Sequence, residues 1–177
     1  MRILVAITGA SGIGYGTRLV KSLKKTKQET YTVISKGAFL VAKEEKATLP
    51  KPDFEENNLA APFASGSHKF DAMVICPCSL KTLGEIANGV GNTLISRAAE
   101  VALKERRKLV LVVRETPFSL IAIENMRLVT LAGGVIMPAC PGFYHKPKKV
   151  EDLMDFVVGK VLDQLEIQHK LFKRWKQ

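Results

Sequence analysis

The feature that most constrains the fold of this chain is the alternation of short apolar runs with segments of helical periodicity. Parallel strands need crossover connections, and helices in those connections cover both faces of the sheet. The alternation therefore predicts an α/β fold with a parallel sheet. The predicted strands are residues 2–8, 31–35, 73–76, 109–113 and 135–137, and the predicted helices are a segment through Leu19, Val20 and Leu23 and residues 38–45, 79–87, 93–104, 116–131 and 150–165.

The chain length favours one domain, because 177 residues suffice for one sizeable core but not comfortably for two. We predict a single Rossmann-like (flavodoxin-like) three-layer sandwich over residues 1–177. Its fifth helix is expected to begin at Thr116-Pro117 and to run to about Leu131, with Gly133 as the C-terminal cap at its end. No apolar run approaches the roughly 20 residues of a membrane helix. The apolar N-terminus is too short for a signal peptide, so a cytoplasmic protein is expected.

Charge and cysteine content narrow the ligand classes. The formal charge of +10 suggests a phosphate-bearing ligand, a nucleic acid or an acidic surface. No nucleic-acid-binding motif is present, and most of the basic residues are interpreted as a solvated surface. The three cysteines give no disulfide framework, and Cys76-Pro77-Cys78 is too tight for a zinc hook. We therefore expect reduced thiols and no metal site.

The ends of the predicted strands carry the candidate binding groups. Ligands of open parallel sheets bind beyond the carboxyl ends of the strands. Small hydroxyls, glycine amides or a cation stand at every such end, a set that suits a phosphorylated ligand. These segments are Thr8 to Gly14, Ser35-Lys36, Pro77 to Thr82, Arg114 to Pro117, and the stretch from Pro138 that contains Tyr144-His145-Lys146; residues 47–70 form a further long loop, of a kind that usually has a function.

The first glycine turn does not match a dinucleotide site. Its glycines stand at 9, 12 and 14, and Ser35 occupies the place of the ribose-binding acid. Lys81 is not part of a Walker loop, so a mononucleotide is favoured over NAD or ATP. Arg114-Glu115 directly follows an apolar strand, where a charged pair is costly unless it is used or paired. From the residues alone, ligand binding and a structural ion pair both remain open.

The motifs resemble the UbiX-type flavin prenyltransferase family over nearly the whole chain. The related thiol decarboxylases usually carry Pro-Ala-Ser-Ala-Asn-Thr where this chain has Pro77 to Thr82, and their methionine-asparagine motif is absent here. The matching segments are Ile7 to Gly12, Ser35-Lys36, Ala64 to Ser67, Pro77 to Thr82, Arg97 to Glu100, Leu103 to Arg107, Arg114 to Pro117, Met137-Pro138 and Phe143 to His145.

The resemblance implies a reaction and its partners. The family joins a dimethylallyl group from dimethylallyl phosphate to N5 and C6 of reduced FMN, without a metal. The product, prenylated FMN, is the cofactor of UbiD-type decarboxylases. The family forms homo-oligomers, often dodecamers, with sites shared between subunits, and the tail 166–177 is expected to dock on a neighbouring subunit. An FMN-dependent decarboxylase of the cysteine-decarboxylase type and a non-enzymatic flavin carrier are the alternatives.

The resemblance also assigns residues to these roles. When the phosphate of the donor leaves the allyl group, cations stabilise the negative charge that develops on it. Aromatic faces stabilise the allyl cation, and water must be excluded because it would react with that cation. Lys160 stands where some members carry arginine, which keeps the charge but not the bidentate geometry. By resemblance, FMN is held by Gly9, Ala10, Ser11, Ser35, Ser79, Leu80, Lys81, Thr82 and Arg114; the donor phosphate by Arg97, Lys104, Tyr144 and Lys160, with Glu45 nearby; the prenyl group by Trp175 and Phe63; and protons at N5 are managed by Glu115 and Ser11.

Overall fold

The computed structural model describes residues 1–176 and contains six parallel strands. The strands are β1 (Arg2–Ile7), β2 (Glu29–Ile34), β3 (Phe54–Glu55), β4 (Ala72–Cys78), β5 (Lys108–Val113) and β6 (Val135–Ile136), and the helices are α1 (Ile13–Lys25), α2 (Lys36–Glu44), α3 (Leu80–Ala87), α4 (Leu94–Lys104), α5 (Leu120–Leu131) and α6 (Val150–Gln164). The strand order is β3-β2-β1-β4-β5-β6, so the direction of winding reverses between β1 and β4. This confirms the predicted fold class.

Both faces of the sheet are buried, as its continuous apolar strands require. On one face, Leu4 and Ala6 of β1 pack in a core that includes residues of α3, α4 and α5. On the opposite face, Ile3 and Val5 pack with residues of α1 and α6. Helices α4 and α6 therefore cover opposite faces of the sheet.

The loop predicted over residues 47–70 contains an edge strand that the sequence pattern missed. Strand β3 pairs with β2, with Phe54 opposite Val33. Just before it, the Asp53 carboxylate accepts hydrogen bonds from the amide and hydroxyl of Thr32, at 2.8 and 2.9 Å. A short 3₁₀ turn, Pro62–Ala64, follows. Two residues are too few for an alternating pattern, so the strand leaves no periodic signal in the sequence.

Two predicted boundaries that involve a proline are wrong. The third strand was expected to end at Pro77, but β4 continues to Cys78 across an irregularity in its pairing with β5. Proline is tolerated at this irregularity because the regular ladder, which would require an N–H donor at that position, is interrupted there. The fifth helix begins at Leu120 rather than at Thr116-Pro117, since the Ser119 hydroxyl caps it by accepting from Ala122 N at 3.2 Å.

The predicted helix end at Gly133 is confirmed. Gly133 has a φ of +99° and donates to the Thr130 carbonyl, while Gly134 donates to the Val129 carbonyl. This pair of bonds satisfies the last carbonyls of α5 and requires the left-handed backbone that glycine adopts without strain. Over residues 1–176, no helix is both long and apolar enough to cross a membrane.

Candidate functional site

A cavity of about 560 Å³ opens at the carboxyl edge of the sheet. It lies where the ends of β1 and β4 meet, at the reversal of strand order that holds ligands in doubly wound sheets. Seven of the predicted FMN-site and catalytic residues converge on it: Gly9, Ser35, Ser79, Leu80, Lys81, Thr82 and Glu115.

Two helix N-termini point their amides at this cavity. Ser35 caps α2 by accepting from Ala38 N at 3.1 Å, and Ser79 caps α3 by accepting from Thr82 N at 3.3 Å. The Ser79 amide is held in turn by the Thr8 hydroxyl at 2.8 Å. Hydroxyls at the positive ends of two helix dipoles form a favourable environment for a phosphate group.

A carboxylate occupies the N-terminus of α1 beside the cavity. The two oxygens of Glu45 accept from Gly12 N at 2.7 Å and from Ile13 N at 3.0 Å. Burial raises the pKa of Glu45, but hydrogen bonds from Ser11 and from these amides, with the charge of Arg114, outweigh burial and hold it below its usual value. Glu45 is therefore an anion placed between Ser11 and Arg114.

Arg114 has a hydrogen-bond donor that has no acceptor in the described chain. Its Nε is buried and has no hydrogen-bond partner among residues 1–176. An orphaned buried donor is costly unless a ligand completes it. Ala10, Ser11 and Arg114 adjoin the cavity through Gly9 and Glu115 rather than lining it. This arrangement fits an anionic or polar ligand such as FMN.

The Arg114-Glu115 pair is not a structural ion pair. No salt bridge joins the two side chains in the part of the chain that the structure describes. Glu115 is exposed, lines the cavity and, among residues 1–176, accepts only from the amide of Thr116, at 3.1 Å. Both charged groups are thus free to act on a ligand.

The residues predicted to bind the donor phosphate do not meet within one protomer. Arg97 and Lys104 lie on α4, where Arg97 donates to the Ala64 carbonyl at 3.2 Å and Lys104 pairs with Glu105. Lys160 lies on α6, which covers the opposite face of the sheet. One phosphate group cannot reach both sets in a single copy of the chain.

The C-terminal set forms its own aromatic cluster. The rings of Tyr144 and Trp175 meet edge to face, with centroids 5.2 Å apart. They border a cavity of about 300 Å³ whose other lining residues are His145, Lys146, Lys173, Arg174 and Lys176. Aromatic faces and cations are the groups that an allylic phosphate needs.

Phe63 is a core residue rather than a pocket residue. It is 1% exposed, and its ring lies 5.3 Å from Tyr31 and 5.6 Å from Phe54. The expectation that Phe63 lines a prenyl pocket was based on resemblance, and in this protomer its ring is enclosed by other aromatic side chains.

The thiols are not arranged as a metal site. Burial raises the pKa of Cys76 and Cys78 far above the usual range, so both stay protonated. Cys140 is exposed, whereas Cys76 and Cys78 are buried. Residues 1–176 contain no cluster of three or more side chains suited to a metal ion.

The cavity also has polar walls that the sequence did not reveal. Glu56 accepts from the first amide of α2, Lys36 N, at 2.8 Å, and its carbonyl accepts from Leu94 N at 2.7 Å. Such loop residues have no periodicity, and only the polar character of the loop hinted at them. Lys36 lines the cavity as part of the predicted Ser35-Lys36 segment, and the lining residues outside the predicted strand-end segments are Gly37, Glu56, Asn57, Asn92 and Thr93.

Comparisons with known proteins agree with one another. The Flavoprotein family matches residues 1–162. The flavin prenyltransferase UbiX of Methanocaldococcus jannaschii is 48% identical, over 99% of this chain and 98% of the relative. The flavin prenyltransferase UbiX of Pseudomonas aeruginosa is 49% identical, over 98% of this chain and 93% of the relative.

Solved structures give the same result. AnUbiX (PadA1), crystallised with FMN and dimethylallyl pyrophosphate, superposes with a TM-score of 0.96 at 45% identity, covering 99% of this chain and 97% of that one. A dodecameric FMN-dependent UbiX-like decarboxylase from Escherichia coli O157:H7 has a TM-score of 0.94 at 39% identity over the full length of both chains. The peptidyl-cysteine decarboxylase EpiD, at 14% identity and a TM-score of 0.64 over 93% of this chain and 98% of that one, shares only the fold.

Proposed function

The chain belongs to the UbiX-type flavin prenyltransferases of the flavoprotein family, and from this premise we propose that it joins a dimethylallyl group to N5 and C6 of reduced FMN. The observation that carries the proposal is the cavity at the β1–β4 reversal. There the N-terminal caps of α2 and α3 converge, and Arg114 Nε is a buried hydrogen-bond donor without a partner in the described chain.

The chain's own residues divide the work on FMN. The hydroxyls of Ser35, Ser79 and Thr82 and the positive ends of the α2 and α3 dipoles suit the phosphate, and Arg114 suits a polar atom of the ring system. FMN supplies the reactive N5 and C6 atoms. We assign proton handling at N5 to Glu115 and Ser11, because Glu115 lines the cavity and Ser11 bonds to the ionised Glu45.

The donor phosphate needs a second set of groups. Its departure from the allyl group creates a dianion, which cations stabilise most where water is excluded. We assign this role to Arg97, Lys104, Tyr144 and Lys160, and the shelter of the prenyl group to Trp175. Because α4 and α6 cover opposite faces, we infer that the donor site forms between copies of the chain in a homo-oligomer.

An apolar surface on α5 supports association with further copies of this chain. The helix exposes five large aliphatic side chains to solvent in the isolated protomer, which is unusual for a stable monomer. A relative of the same length is dodecameric, so we propose a dodecamer of this chain as well. The exposed side chains are Leu120, Ile121, Ile123, Leu128 and Leu131.

The domain organisation of the protein, its location and the recipient of its product are also part of the proposal. We propose that residues 1–177 form one flavoprotein domain, that the protein works in the cytoplasm, and that a UbiD-type decarboxylase receives prenylated FMN from it. The unpaired thiols Cys76, Cys78 and Cys140 are consistent with a reducing compartment.

The direct test is turnover. Pure protein is mixed anaerobically with reduced FMN and dimethylallyl phosphate, and the molecular mass of the extracted flavin is measured by mass spectrometry. A gain of one dimethylallyl-derived unit supports the proposal, and the absence of any gain with both the phosphate and the diphosphate donor rejects it. Carbon dioxide release by the protein alone indicates the decarboxylase, and a Glu115→Gln variant that retains full function indicates a flavin carrier.

A further inference from the structure

Asp163 is the point at which α6 and the C-terminal tail are joined. Its Oδ1 accepts from Arg174 Nη2 at 2.7 Å and contacts His169 Nε2 at 3.1 Å. Its Oδ2 accepts from Arg174 Nη1 at 3.3 Å and from Lys160 Nζ at 3.4 Å. Three cationic or potentially cationic side chains therefore converge on one carboxylate.

The carboxylate is ionised and partly shielded from water. Its side chain is 18% exposed, and that of His169 is 3% exposed. Burial raises the pKa of Asp163, but hydrogen bonds from Arg174, His169 and Lys160 outweigh burial and lower it. Partly buried charges of this kind are held in place by their partners, because an uncompensated charge in such a position is costly.

The partners of Asp163 are unequal. Arg174 binds both oxygens in the fork geometry that favours guanidinium–carboxylate pairs, and His169 adds a further contact. The contact with Lys160 is the longest of the four. Lys160 can therefore turn to another anion while Asp163 keeps Arg174 and His169, so the carboxylate is not left unpaired.

The Arg174 end of this network leads directly to the aromatic cluster. Arg174 and Trp175 are neighbours in the chain and line the same cavity as Tyr144. The ring of Trp175 meets that of Tyr144 edge to face, and Phe172 packs against His169 with centroids 5.4 Å apart. Anchoring Arg174 on Asp163 thus fixes where Trp175 lies.

We propose that Asp163 is a positioning residue for the prenyl donor: it clamps the tail through Arg174 and His169 and presents Lys160, loosely held, to the donor phosphate. This inference rests on the proposed function, because the donor is the ligand that Lys160 and Trp175 are assigned to meet. It predicts that Asp163 affects donor binding and leaves FMN binding unchanged.

The test compares Asp163→Asn with a matched variant on the same helix, Asp155→Asn. Asp155 pairs with Arg18 of α1, and its side chain is 15% exposed, so the two substitutions remove similar ion pairs of α6. Trp175 is the single tryptophan of the chain and is 65% exposed, so its fluorescence anisotropy reports on the mobility of the tail. Steady-state kinetics give KM for dimethylallyl phosphate, and fluorescence titration gives Kd for FMN.

For Asp163→Asn we expect KM for the donor to rise about tenfold or more, Trp175 anisotropy to fall, and Kd for FMN to stay unchanged. For Asp155→Asn we expect lower stability with wild-type donor KM and Trp175 anisotropy. Equal effects of the two variants on donor KM, or an Asp163→Asn protein with wild-type donor KM or wild-type Trp175 anisotropy, would overturn the proposal. If the wild-type protein transfers no prenyl group, the proposed function is rejected. The fluorescence comparison of the two variants still tests whether Asp163 holds the C-terminal tail in place.

Discussion

At the scale of single residues, two carboxylates border the FMN cavity by binding helix N-termini. Glu45 accepts from the first amides of α1, and Glu56 accepts from the first amide of α2. Each satisfies amides that otherwise lack a partner and places negative charge at the positive end of a helix. The two carboxylates differ in their access to a ligand, because Glu56 lines the cavity and Glu45 does not.

We expect Glu45→Gln to lower the free energy of unfolding at pH 7 by about 0.5 kcal/mol, because it removes the charge from a two-amide cap that solvent partly screens. The pKa of Glu45 is lower in the folded protein than its usual value. Its contribution is therefore complete above the unfolded pKa and is lost as pH falls through the folded pKa. Urea unfolding should show the gap between wild type and variant closing below about pH 4. Glu44→Gln, at the exposed neighbouring position, should show no gap at either pH.

Glu56 should act against the flavin phosphate. If the phosphate binds at the N-terminus of α2, the charge of Glu56 repels it, and Glu56→Gln keeps an acceptor for Lys36 N without that charge. We expect Kd for FMN to fall by about two- to fivefold at low ionic strength, with the gain shrinking in high salt. Fluorescence titration measures this, with Glu55→Gln as the control. Weaker FMN binding by Glu56→Gln would instead indicate that Glu56 holds the flavin.

At the scale of elements, the sequence predicted those parts whose signals are local. Ser79 and Thr93 stand directly before α3 and α4 and cap them through Thr82 N and Ser96 N, as capping chemistry leads one to expect. Thr116-Pro117 carries an equally good local signal, yet Ser119 is the cap of α5. Competing caps three residues apart are decided by tertiary packing, which a sequence pattern does not contain.

The packing of α1 on the sheet depends on one glycine. A Cβ at Gly16 would lie 2.2 Å from the Cys76 carbonyl oxygen and 2.9 Å from Ile7 Cγ1, so the helix would have to move off the strands. We expect Gly16→Ala to lower the free energy of unfolding by about 3 kcal/mol. Gly84→Ala is the matched control in α3, where the new methyl would meet only Asn125 Nδ2 at 3.5 Å. Because alanine is the better helix former, that variant should be neutral or more stable by about 0.5–1 kcal/mol in urea unfolding.

At the scale of the whole molecule, the predicted site separates into a part that one chain forms and a part that it does not. The FMN residues gather because they follow neighbouring strands, and the carboxyl ends of parallel strands share one edge. Three of the donor-site residues, Arg97, Lys104 and Lys160, lie on helices, and the face that each helix covers depends on the topology. Arg97 and Lys104 therefore look equivalent to Lys160 in sequence, although α4 and α6 lie on opposite faces.

This separation makes the donor site a property of the assembly. Lys104→Gln and Tyr144→Phe should each reduce prenyl transfer strongly when expressed alone. If one site takes Lys104 from one copy and Tyr144 from another, co-expressed variants form mixed oligomers in which about a quarter of the sites have both native residues. We expect activity to recover to that fraction in mixed oligomers isolated through two different tags, measured as prenylated flavin per FMN site. No recovery would place both residues in one protomer's site. The structure argues against this, because Tyr144 packs against Phe156 of α6, and α6 and α4 lie on opposite faces of the sheet.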